Sequence, residues 1–120
     1  MQALADSTIA RWFSPAALAR NPTHLEKVRH MILTTPVNGF AGCSAALSSH
    51  NFRSSLEKVS KPVLFVVGAE DGTLPAAMRQ MNAELPGAQL VELPEAGHIS
   101  NLDQRSMFSH AVERFLTASN

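Results

Sequence analysis

The sequence predicts an α/β fold, with helices first and then two parallel strands that are each followed by a helix. Three observations carry this. Val63-Leu64-Phe65-Val66-Val67 is apolar without alternation, the pattern of a parallel strand covered on both faces. Gln89-Leu90-Val91-Glu92-Leu93 is a second strand, and a helical stretch holding Met78, Met81, Asn82 and Leu85 lies between the two. The residues before Val63 carry helical spacings and no strand pattern. A right-handed helical crossover between adjacent parallel strands is the expected connection.

In chain order, Ile9 stands three and four residues before Trp12 and Phe13, so a short helix presents them together. Ser14-Pro15 reads as an N-cap and first helical position, opening a helix from Ala16 to Arg20 that stops near Asn21-Pro22. Thr23 caps the next helix, with Glu26 as its capping-box partner. Leu25, Val28, Met31 and Ile32 form the apolar face of that helix, which ends before Pro36. Asn38-Gly39 reads as a turn and Phe40 to Ser48 as a third helix. Asn51 to Ser60 is a polar helix or loop that returns to the main body.

Pro62 suits the first position of the first strand. Pro75 opens the crossover helix and Pro86-Gly87 closes it. The lone polar alternation at Glu92 places the second strand nearer a sheet edge. The last helix, from about Asp103 to Ala118, carries Phe108, Val112, Phe115 and Leu116 on one face. The organisation is therefore a helical lid over residues 1–58 and an α/β part over residues 59–120. Two strands cannot cover both faces of the apolar run, so further strands come from another chain, a second copy, or sequence outside these 120 residues.

Composition narrows the functions. Ten basic residues balance ten acidic ones, and a net charge of zero offers no attraction to nucleic acid or an anionic membrane. The longest apolar run is far too short to span a bilayer, and no signal segment opens the chain. Cys43 is the single cysteine, which excludes an intramolecular disulfide or a multi-cysteine zinc site and suits a reducing cytoplasm.

Two loops carry the chemistry. Asp71 sits just past the end of the first strand, where open α/β sheets place functional groups. His98 follows the second strand, after Ala96-Gly97. Asp71-Gly72 is on its own an ordinary turn, and His98 on its own an ordinary loop histidine. As a pair on adjacent strands, they suit a carboxylate that orients an imidazole base. Glu70 is the competing acid. His24, His30, His50 and His110 read as surface residues, and no two histidines have metal-ligand spacing. Cys43 follows no strand and lacks a nucleophile's sharp elbow, so it reads as a small buried cysteine. Trp12 is lid core or a pocket wall. Arg11 is a solvated arginine or a partner for a substrate carboxylate.

Gly68-Ala69-Glu70-Asp71 and then Ala96-Gly97-His98 resemble the acid and histidine loops of the α/β-hydrolase fold, in that family's chain order. Arg11-Trp12-Phe13-Ser14-Pro15 and Gly39-Phe40-Ala41-Gly42-Cys43-Ser44-Ala45-Ala46-Leu47 resemble the cap of the 3-oxoadipate enol-lactonases. The resemblance runs from about Arg11 to Leu116 and matches the C-terminal half of such an enzyme. It implies Asp71 as the triad acid, in preference to Glu70, His98 as the base, and Trp12 as a wall of the substrate pocket. It implies a small lactone or ester as substrate, hydrolysis of 3-oxoadipate enol-lactone in bacterial breakdown of aromatic compounds, and no metal or organic cofactor. The family's Gly-x-Ser-x-Gly elbow does not occur in these 120 residues. The expected partner is therefore the N-terminal half of the hydrolase or a second copy of the chain. Two other readings stand beside this one: an esterase or C–C hydrolase of the same fold, and a non-catalytic module that assembles through its open strand edge and lid.

Overall fold

The computed structural model describes residues 1–20 and 22–118. Four helices come first: α1 (Gln2–Trp12), α2 (Pro15–Arg20), α3 (Thr23–Thr34) and α4 (Val37–Ser48). A 3-10 turn over Arg53–Lys58 leads to β1 (Leu64–Gly68). Then follow α5 (Leu74–Glu84), β2 (Gln89–Leu93), the single turn α6 (Ser100–Asp103) and α7 (Arg105–Ala118). The strands pair in parallel, with Leu64 opposite Gln89 and Gly68 opposite Leu93. The pairing continues into the loops: the amide of Ala69 donates to the Leu93 carbonyl at 2.8 Å and that of Glu70 to the Ala96 carbonyl at 2.9 Å. Both strands therefore end at the same level, and their C-terminal loops lie side by side.

Local signals explain most boundaries. Ser14 caps α2 as expected, its Oγ accepting the Ala17 amide at 3.1 Å. Pro75 lies in the first turn of α5, and Gly87 takes a φ of 82° just after that helix. The expected helix stop at Asn21 lies outside the described residues. Three expectations at element starts need correction. Thr23 is the first residue of α3, behind an extended Pro22, and makes no capping bond. Asn38-Gly39 is part of α4, because Pro36 already sets the extended entry and the helix begins at Val37. Pro62 precedes β1, whose pairing begins at Leu64.

Phe13, Ala17 and Leu25 form a buried cluster in the helical segment, ringed by Ile9, Trp12, Leu18 and Val28. Ile99 and Leu102, from the far end of the chain, also pack on it. The helical segment is thus welded to the loop that follows β2. Its outer parts are less covered than periodicity suggests. Met31 is 66% exposed on α3, and α4 buries none of its residues, so Cys43 is exposed rather than buried. On α7, Phe108, Val112 and Phe115 are half-buried while Leu116 is exposed. Leu64, Phe65 and Val66 of β1 are only half-buried, because β2 is the single strand paired with β1 among the described residues.

Ser14 joins two of these features, since its hydroxyl also donates to the Glu95 carbonyl at 2.8 Å. Replacing it with alanine removes the α2 cap and leaves a part-buried carbonyl without its donor. Ser14→Ala is expected to cost about 2 kcal/mol, read as a lowered midpoint in urea unfolding with an unchanged slope.

Candidate active site

The site lies where the two strand-end loops meet the end of α1. After β1 the chain bends at once: the Asp71 amide donates to the Gly68 carbonyl at 3.1 Å, and Gly72 takes a φ of 53° that favours glycine. This turn leaves the Asp71 side chain 15% exposed at the strand end. After β2 the loop passes Glu95, a non-glycine residue at a φ of 51°, and then runs through Ala96 and Gly97, both buried. Gly97 presses against the end of α1 so closely that a Cβ there would lie 2.7 Å from the Trp12 carbonyl oxygen. His98 emerges directly afterwards.

His98 Nδ1 lies 2.9 Å from Asp71 Oδ2. In the tautomer that suits a carboxylate partner, Nδ1–H donates to Oδ2 and Nε2 is left for proton exchange. Trp12 stacks on the imidazole, with ring centroids 5.9 Å apart and planes inclined by 30°. Arg11, Trp12, Asp71, Leu74 and His98 together line a recess of about 220 Å³. Arg11 and Trp12 also form one wall of a neighbouring cavity of about 470 Å³, whose other sides include Leu4, Ile32 and Phe40. All four residues singled out from the sequence therefore border one recess, and two of its five lining residues come from the helical segment. Glu70 lies in the same turn, but its side chain is exposed and the carboxylate on His98 is that of Asp71. His24 departs from the surface reading: its ring packs on Phe13 at 5.8 Å between centroids, with Nε2 buried.

Among the described residues that line the recess, Arg11 is the cation and Asp71, hydrogen-bonded to His98, the carboxylate. The recess can thus hold a small polar molecule beside an oriented imidazole, with an indole face as its apolar side. Sequence reasoning missed the supports behind it. Asp103 reads from the sequence as the start of the last helix, yet its buried carboxylate receives the amides of Gly97 and Ser14. Ser14 lies 89 positions away, and no local pattern announces such a pairing. Leu74, three residues after Asp71, also lines the recess and was not singled out from the sequence.

This arrangement of strand-end acid, strand-end histidine and helical cover has known relatives. Residues 33–120 match the α/β-hydrolase family described as TAP-like protein. The chain belongs to the α/β-hydrolases. Within them, it is 34% identical over 117 residues to 3-oxoadipate enol-lactonase 2 of Acinetobacter baylyi, covering 98% of this chain and 44% of that protein. Among solved structures, the enol-lactonase from Burkholderia xenovorans LB400 superposes with a TM-score of 0.91 at 33% identity, over 98% of this chain and 45% of that one. A thermophilic esterase from Thermogutta terrifontis superposes with a TM-score of 0.89 at 28% identity, over 97% of this chain and 43% of that one. The chain thus spans a little under half the length of these α/β-hydrolases. Its helices α1 to α4 and its two-stranded sheet have the architecture of the corresponding part of the fold. No helix among the described residues is long and apolar enough to cross a membrane.

Proposed function

We propose that this chain provides the acid and the base of a serine hydrolase that opens a small lactone, with 3-oxoadipate enol-lactone as the preferred substrate. The observation that carries the proposal is the Asp71–His98 bond of 2.9 Å at the ends of neighbouring parallel strands. The likeness to two enol-lactonases supports the choice of substrate. In this reading the serine comes from sequence outside these 120 residues, on the same polypeptide or on another. It docks beside the half-covered β1 edge, and residues 1–58 act as the lid.

The His98–Asp71 geometry supports the following proton inventory. His98 Nε2 takes the serine hydroxyl proton as the oxygen attacks the lactone carbonyl, while Asp71 holds Nδ1–H and stabilises the imidazolium. Collapse of the tetrahedral intermediate breaks the ring C–O bond, and His98 returns the proton to the departing enol oxygen. Water, deprotonated by His98, then attacks the acyl-serine; the acyl C–O bond to serine breaks, His98 returns the proton to the serine oxygen, and the acid released is, after ketonisation, 3-oxoadipate. Trp12 forms the apolar wall of the recess, and Arg11 binds the substrate carboxylate through two parallel hydrogen bonds. None of these steps calls on a metal or an organic cofactor.

A second reading keeps the same machinery and widens the substrate to simple esters. The superposition on a thermophilic esterase favours it. The test mixes the 120-residue chain with a polypeptide carrying the N-terminal strands and nucleophile elbow of such a hydrolase. The isolated chain is expected to hydrolyse neither enol-lactone nor aryl ester, since a single oxyanion-hole donor alone is worth about a hundredfold or more in rate. The mixture is expected to turn over the lactone and to label with an active-site serine probe. Preference for the aryl ester over the lactone selects the esterase reading. Assembly without turnover or labelling makes the chain a non-catalytic module and refutes the proposal.

A further inference from the structure

We infer that Asp103 is a positioning residue for His98: its buried carboxylate fastens the end of α1 to the histidine loop and so holds the imidazole between Trp12 and Asp71. This rests on the reading of His98 as the base. Asp103 is 8% exposed, and its Oδ2 accepts two backbone N–H bonds, from Gly97 at 2.7 Å and from Ser14 at 3.0 Å. Gly97 is the residue before His98, and Ser14 is two residues after Trp12. One oxygen atom thus sets the spacing between the two chain segments that carry the stacked pair.

Nothing else nearby explains a buried carboxylate. Asp103 has no ion pair among the described residues, and Oδ1 is buried without a hydrogen-bond partner. Its charge is matched by the two amides alone, and charge-assisted bonds of this kind are about twice as strong as neutral ones. Two further bonds follow the same seam. The Ile99 amide donates to the Trp12 carbonyl at 3.1 Å, and the Ser14 hydroxyl donates to the Glu95 carbonyl. These four bonds bracket His98 on both sides, and Asp103 supplies the two that meet at a single point. The Asp71 bond alone leaves the imidazole free to swing about it. The Trp12 face, held by Asp103, removes that freedom.

The experiment is NMR on the 120-residue chain, with labelled histidine and backbone amides. His98 ring signals are assigned by their loss in His98→Gln, and the ring-current shift from Trp12 is defined by its loss in Trp12→Leu. Asp103→Ala is expected to remove at least half of that ring-current shift and to move the Gly97 and Ser14 amides upfield, with helical content by circular dichroism unchanged. Asp103→Asn keeps an oxygen that accepts both amides and is expected to retain more than half of the shift. An unchanged His98 signal in folded Asp103→Ala overturns the inference. So does an Asn variant as displaced as the Ala variant when both are folded, or a wild-type His98 signal that ignores Trp12→Leu. If the Ala variant does not fold, the Asn variant decides: altered Gly97 and Ser14 amides support the tie, and unaltered ones overturn it. None of these signals requires turnover, so an inactive mixture would refute the hydrolase reading and leave them as they are.

Discussion

His98→Ala is expected to lower kcat of the assembled hydrolase about a million-fold, the loss typical of a triad base that acts as a unit with its serine. Asp71→Asn is expected to cost about ten-thousand-fold, because an amide in place of the carboxylate selects the wrong imidazole tautomer. The two losses are not additive, since without His98 nothing remains for Asp71 to orient. Neither substitution empties the core: the His98 side chain is 44% exposed, so its loss gives up only the stack on Trp12, and asparagine fills the space of aspartate. Assembly with the N-terminal polypeptide should therefore persist in both variants. The measurement is steady-state lactone hydrolysis beside an assembly assay such as analytical ultracentrifugation. A His98→Ala mixture with more than a tenth of wild-type kcat would show that another group moves the proton.

The largest effect on the fold is expected at Gly68, the last residue of β1. A Cβ there would overlap the carbonyl oxygens of Ala96 and Gly97. These are backbone atoms of the adjoining loop, which no side-chain rotation can move aside. Overpacking in a well-filled interior costs about 1–3 kcal/mol, and a backbone clash belongs at or above the top of that range. Gly68→Ala is accordingly expected to lower stability by about 3 kcal/mol or more, a large share of what a small domain possesses. Partial relief comes by pushing the histidine loop away from β1, which separates Asp71 from His98. Urea unfolding and the His98 Nδ1 proton signal measure the two consequences. Gly72→Ala makes the comparison, since no atom stands within 4 Å of its added Cβ and only its φ of 53° resists. It should be milder.

What the sequence disclosed was mostly what lies close together along it. The strand pattern from Val63 and the Asp71 and His98 loops are local signals, and they led to the parallel pair and to the carboxylate on Nδ1. The pocket role of Trp12 was reached through resemblance, and Arg11 through the chemistry of a guanidinium beside a substrate carboxylate. The errors have a common physical cause. Met31 and Leu116 were assigned by helical face and Cys43 by the usual burial of small cysteines, but a side chain is buried only if something packs on it, and α4 and the end of α7 meet little among the described residues. Glu92 was read as a sheet-edge marker, and β2 pairs only with β1 among the described residues. What the sequence did not show is that its carboxylate receives both Nε and Nη2 of Arg79 at 2.6 Å, clasping α5 to β2. That guanidinium holds the Glu92 carboxyl below the usual carboxylate range. Asp103 was illegible because its two partners lie 6 and 89 positions away, and hydrogen bonding between such distant groups leaves no spacing to read.

That separation also dictates an order of events during synthesis. Phe13 and Trp12 are made first, and Ile99, Leu102 and the Asp103 carboxylate that complete their surroundings follow 86 to 91 residues later. At about 5–20 residues per second, the nascent helical segment waits roughly 4–18 seconds with its aromatic side chains uncovered. The helical segment thus cannot finish its packing before the loop that carries His98 has been translated, and during the interval a chaperone has an indole and a phenyl ring to hold.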